Sequence, residues 1–169
     1  MGPYLRGGRR SLISLETTSM PSIFDPALEA AVRGRAARLS PETPARWGRM
    51  HAAQMLCHLV DALRVPLGEI SSQPKSTPFR LFPLRWLFVY GLPWPKGKVP
   101  TMPVFQQTQP GQWNEDRQAW EAALRRFVAH GRKPGCQWSP HPAFGPLPTW
   151  EWGRLVYLHI NHHFTQFGV

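Results

Sequence analysis

Cysteine is scarce in this chain. Cys57 and Cys136 are the only two among 169 residues, which allows one bridge at most and argues against a secreted disulfide framework. A reducing, cytoplasmic setting is the expectation. Long apolar runs are missing too. The densest stretch, LFPLRWLFVYGL at residues 81–92, contains Pro83 and Arg85 and is followed by Pro93, so no window reaches the ~20 residues of a membrane span. The apolar patch from Ser11 to Leu15 ends at Glu16 and is too short for a signal-peptide core. Residues 1–20 read as a disordered extension, with Met20 a second candidate start, and residues 21–169 as one domain. Acidic residues are few, 10 against 20 basic ones, for a formal charge of +10. Lysine contributes little of that excess: only Lys75, Lys96, Lys98 and Lys133 are present. The arginines are scattered, never in runs longer than two, which favours a solvated surface over a nucleic-acid face. A nucleic-acid binder would show affinity that falls steeply with salt.

Strand alternation and internal repeats are also absent. What the chain has is helix signals, aromatic residues, and 19 prolines that cluster between helices. Eight Trp and nine Phe supply a core that one domain of this length can bury. Asp25-Pro26 is a helix start, since the carboxylate caps and proline tolerates the first helical position; Leu28, Ala31, Val32 and Leu39 supply a face, predicting a helix over 26–38 that SPETP at 40–44 ends. Met55, Leu56, Leu59, Ala62 and Leu63 recur at helical spacing and predict a second helix over 51–65, closed by Pro66 and Gly68. Residues 66–112 form a long Pro- and aromatic-rich connection, with a short helix after Pro83 and an extended arm at LPWPKGKVPTMP. A third helix is expected over 114–130, capped by Asn114 and Gly131, with Trp120, Leu124, Phe127 and Val128 inward. A fourth runs over 149–167. These define an all-α four-helix bundle.

The end of the chain, HINHHFTQFGV at 159–169, holds three histidines in five positions. At about 100° per residue, Trp152, Val156, His159, His163 and Phe167 share one stripe with Leu155 beside it. Glu151, Arg154, Asn161 and Thr165 lie opposite, and His162 falls toward the polar edge. Imidazoles at i and i+4 are neighbours, ~6 Å apart at Cβ, and both can reach one ion ~2 Å from each nitrogen. His58, at the edge of the second helix's apolar face, is the candidate third ligand. His51 lies two turns away, ~10 Å along the helix, too far to join. Inward histidines are equally satisfied core residues in many folds, and spacing leaves both readings open.

The pairing of His58 in AAQMLCHLVDALR with HINHHFTQFG resembles the DinB superfamily of metal-binding four-helix bundles. Its pattern is close to His-x-x-x-His-Arg-Gly-Gln on the last helix, with one His on the second. The resemblance implies His58, His159 and His163 as ligands and Gln166 as the closing glutamine. Phe164 and Thr165 stand in place of Arg-Gly, which removes a charged group near the site. A narrower similarity, carried by RWGRMHAAQMLCHLVDALRVPLG, GLPWPKGK, HPAFGPLPTWEWGRL and HHFTQFG over residues 25–169, is to a DinB-like subfamily with no established activity.

Some DinB-like relatives transfer low-molecular-weight thiols to electrophiles in a metal-dependent way. The resemblance therefore implies a divalent metal, zinc in preference to nickel, that activates a thiol or water. Asp61, one turn past His58, is a candidate acceptor for a ligand N–H; its competing reading is an exposed helix carboxylate. His141 is a candidate at the site mouth, or a loop residue packed on Pro142. His162 and Gln166 complete the candidates around the ligands, while Arg64 and Arg154 could meet an acidic thiol or stay solvated. Cys57 points elsewhere, as packing. The competing function is a non-enzymatic bundle that dimerises through its aromatic arm, with structural or vestigial histidines.

Overall fold

The computed structural model describes residues 20–72, 80, 86, 90 and 101–169. Four helices account for about half of them: α1, Pro26–Ala36; α2, Ala52–Arg64; α3, Trp113–Gly131; and α4, Thr149–Gln166, with one 3-10 turn at Pro103–Phe105. No strand occurs among the described residues, only an isolated bridge between His141 and Gly145. The chain is an all-α four-helix bundle in which α2 lies against α3, and α1 and α2 each lie against α4. No described helix is long and apolar enough to cross a membrane. The expected extension at 1–20 falls almost entirely outside the described residues, as do the short helix after Pro83 and most of the extended arm.

Helix starts follow local chemistry. The Asp25 carboxylate accepts from the backbone N–H of Ala27 at 2.8 Å, and Pro26 opens α1. His51 stands before α2 rather than in it. Its ring Nδ1 accepts from Gln54 N–H while the Gln54 side chain accepts from His51 N–H, a reciprocal capping box that satisfies two otherwise orphaned donors. The expected cap at Asn114 is not used: α3 begins at Trp113, and Asp116 reaches back to the N–H of Gly111 at 3.1 and 3.2 Å. Gly131 is likewise the last helical residue of α3 rather than a cap, since the following Arg132 keeps a right-handed backbone with φ −81°.

The glycine at 131 serves packing instead. A Cβ there would collide with the Phe24 ring, and one at Gly153 on α4 would meet both Ser22 and Phe24. Phe24 sits between the two helices, stacked on Phe127 with centroids 5.6 Å apart. On α1 the buried stripe is Val32, Ala36 and then Leu39 beyond its end; Ala31, expected inward, is exposed. Trp120, Leu124 and Phe127 of α3 are fully buried, as are Met55, Leu56, Leu59 and Leu63 of α2 and Trp152, Ile160 and Phe164 of α4. Glu151, expected on the polar side of α4, is buried and accepts from the Tyr90 hydroxyl at 3.1 Å.

Gly34 provides a control for Gly153, because both are inside helices but nothing lies within 4 Å of a Cβ built at Gly34. Gly34→Ala should stabilise the chain by about 0.5–1 kcal/mol. Gly153→Ala should destabilise it by about 1–3 kcal/mol through overpacking against Phe24. Paired urea melts read both signs.

Candidate metal centre

α2 is buried nearly all round: only Ala53, Gln54 and the terminal Arg64 escape, and His58 and Asp61 are inside with the apolar residues. A polar group in that position needs partners. The structure brings His58 to the two histidines of α4 expected to join it. His58 Nε2 lies 2.9 Å from His159 Nε2, and His163 Nε2 lies 3.1 Å from the same atom. All three ligand atoms fall within 4.8 Å of one another. A tetrahedral ion about 2.0–2.1 Å from each nitrogen would hold them about 3.4 Å apart, so small side-chain adjustments suffice.

The other ring nitrogens decide where the protons are. His58 Nδ1 is 2.9 Å from the carbonyl of Phe105, which can only accept; Nδ1 therefore carries the proton, and Nε2 offers a lone pair. His163 Nδ1 is 2.8 Å from Gln166 Oε1. The amide orientation of Gln166 is set by its Nε2 donating to the Trp47 carbonyl at 2.6 Å, so His163 Nε2 also offers a lone pair. Two lone pairs thus converge on His159 Nε2, and one N–H on that nitrogen cannot satisfy both at full strength. A cation satisfies all three, and neutral imidazole is the ligand form.

Electrostatics favour that neutral form. Burial holds His58 below the ordinary histidine range, opposed by its bond to Phe105. Burial and then the neighbouring His58 push His163 down to about 3. His159 is pushed well down by burial, then by His58 and His163.

The remaining candidates divide. Gln166 bonds directly to His163. His162 does not join: its ring lies edge-on to Trp47 at 5.9 Å and to His163 at 5.2 Å. Asp61 is neither exposed nor bonded to any of the three histidines. At 0% exposure it accepts from the N–H groups of Gln107 and Thr108, because α2 is covered on that side by the segment after the 3-10 turn. His141 is held in an aromatic cluster, stacked on Phe144 at 4.6 Å and near Trp152 at 5.5 Å and Phe105 at 5.9 Å. Its Nδ1 accepts from Ala143 and Phe144 N–H, and burial pushes it down to about 3.

Arg64 pairs with Glu69 at 3.3 Å, and Arg154 lies over the Tyr90 ring at 5.5 Å. Cys57 is a free, buried thiol pushed up to about 12 by burial and by Asp116, which suits packing rather than nucleophilic or ligand chemistry. Sequence reasoning missed the Phe105 and Trp47 carbonyls, since main-chain acceptors carry no signature in side-chain identity. It also missed Gly48, whose φ is +84° and whose absent Cβ leaves room for the Gln166 amide 2.6 Å away.

A helical bundle with three converging imidazoles on two helices is thus the class that fold and site define. The chain belongs to a family of proteins of unknown function, DUF1569, whose model matches residues 23–168. No curated protein and no solved structure matches the chain.

The depressed histidines fix a pH dependence for the metal-free chain. The unfolded chain takes up protons near pH 6.5, whereas the folded one resists them to about 3 at His141 and His163. The unfolded state therefore binds more protons, and stability falls as pH drops from about 6.5 toward 3, by up to ~1.4 kcal/mol per pH unit per histidine. Urea melts in chelator should show this. His141→Asn, whose side-chain oxygen can still accept from Ala143 and Phe144, should give a shallower slope.

Proposed function

We propose that this chain is a DinB-like divalent-metal protein whose His58, His159 and His163 hold one ion, zinc in preference to nickel. The observation that carries the reading is the proton count: Phe105 and Gln166 fix two lone pairs, and both converge on the third imidazole. Bound to three protein ligands, zinc would supply the Lewis acidity that lowers the pKa of a water or thiol. The reaction class we favour is transfer of a low-molecular-weight thiol to a small electrophile, with hydrolysis as the water-using counterpart. The chain's own residues hold the site: Gln166 and the Phe105 carbonyl orient two ligands, and burial between α2 and α4 keeps all three neutral.

A second reading is supported by a different observation. Trp86 and Trp150 are 52% and 54% exposed, with Tyr90 between them at 5.9 and 5.7 Å. That exposed aromatic row would suit a non-enzymatic module that forms homodimers, and sedimentation of wild type against Trp150→Ser tests it.

For the metal reading, untagged protein prepared without chelator should contain about one zinc per chain by elemental analysis, and His58→Ala and His159→Ala should each abolish it. Gln166→Leu should weaken zinc binding about 10–100-fold. A wild-type chain that takes up neither zinc nor nickel overturns the assignment.

A further inference from the structure

Asp61 touches none of the three imidazoles, yet its partners place it one step from His58. It lies one helical turn beyond that histidine on α2 and is wholly buried, so its lone pairs must be met inside the protein. Among the described residues, the hydrogen bonds to its carboxylate come from one short segment. Oδ2 accepts from the N–H of Gln107 at 2.6 Å and of Thr108 at 2.9 Å, and Oδ1 accepts from the Thr108 hydroxyl at 2.6 Å. Arg64 closes the cluster, 3.4 Å from that hydroxyl and 3.9 Å from the carboxylate.

The segment begins directly after the Pro103–Phe105 turn, whose Phe105 carbonyl accepts from His58 Nδ1. α2 therefore grips one piece of chain at two points, with a donor at His58 and an acceptor at Asp61. Without the second grip, the hydrogen bonds that hold the Phe105 backbone are that from His58 itself and those of the single turn, Phe105 N–H to Met102 O at 2.9 Å and Gln106 N–H to Pro103 O at 3.0 Å, and its ring rests edge-on against His58 and tilted against His141. A lone 3-10 turn is weak restraint.

We infer that Asp61 is a positioning residue that fixes the protonated nitrogen of His58, and with it the metal affinity of the site, by anchoring Gln107 and Thr108 behind the Phe105 carbonyl. The affinity part of this inference rests on the metal reading above; the part concerning the His58 proton does not. An anchored carbonyl keeps the proton on Nδ1 and the lone pair on Nε2, facing His159. A released one lets the imidazole exchange tautomers and rotate, which costs affinity without touching a ligand.

The test uses the full chain and two readouts: long-range proton–nitrogen NMR of the histidine rings without metal, and zinc titration against a competing chelator. Wild type should show His58 protonated at Nδ1. Asp61→Ala should show mixed tautomers at His58, unchanged His163, and zinc binding about 10–100-fold weaker. Asp61→Asn, whose amide oxygen can accept from both backbone N–H groups, should restore the tautomer and most of the affinity. Thr108→Val, which removes one of the three donors, should fall between, and it serves if Asp61→Ala does not fold. A His58 ring and zinc affinity unchanged in Thr108→Val and in every folded Asp61 variant would overturn the inference. Should wild type bind no zinc, the metal reading fails, and the tautomer comparison alone upholds or overturns the role of Asp61.

Discussion

The site depends on a single constraint, the burial of α2 on almost every side. A helix in that position cannot leave polar side chains unpaired, so each one on it organises something else. His58 draws the 3-10 turn against it and meets two histidines of α4. Asp61 collects two amides and a hydroxyl from the returning connection. Cys57 turns to Asp116, itself tied to Gly111 at the start of α3. The polar contacts of one 13-residue helix thereby tie α3, α4 and the end of the long connection into one structure. Desolvation sets the electrostatics at the same time, because it drives the imidazoles toward their neutral, metal-binding form.

The second element of the arrangement is the end of α4. Gln166 connects two layers: it accepts from His163, and it donates to the Trp47 carbonyl in the turn before α2. That turn is tight, with Gly48 in the left-handed region, where a side chain would press on the Gln166 amide. The backbone N–H of Arg46 also donates to the Gln166 carbonyl at 2.7 Å. The orientation of the His163 ring is thus a property of the bundle's connections as much as of its helices.

Much of this was legible in the residues. The periodicity of Met55, Leu56, Leu59 and Leu63 identified α2, and the wheel of α4 separated His159 and His163 from His162, as the structure does. Asp25-Pro26 marked the start of α1 through chemistry that acts within three residues. Where the reading failed at Glu151, Asp61 and Gly131, a longer-range partner decides the matter. Glu151 looked solvated on the wheel, but Tyr90 from the long connection covers it. Asp61 looked exposed for the same reason, since nothing local to α2 announces that residues 107–108 fold over it. Gly131 suited a helix end, yet the demand on it comes from Phe24, over a hundred residues away. Carbonyl acceptors such as those of Phe105 and Trp47 belong to every residue type, so no sequence pattern singles them out.

In the proposed site three imidazoles, and no other side chains, form the protein's share of the metal shell. X-ray absorption at the zinc edge of the zinc-loaded chain tests it most directly. The expected result is a four-coordinate shell with three imidazole nitrogens at about 2.0–2.1 Å, their outer ring atoms visible as multiple scattering, and one further light atom or thiol sulfur. An oxygen-only octahedral shell without imidazole scattering, or two or more sulfur ligands, would contradict it.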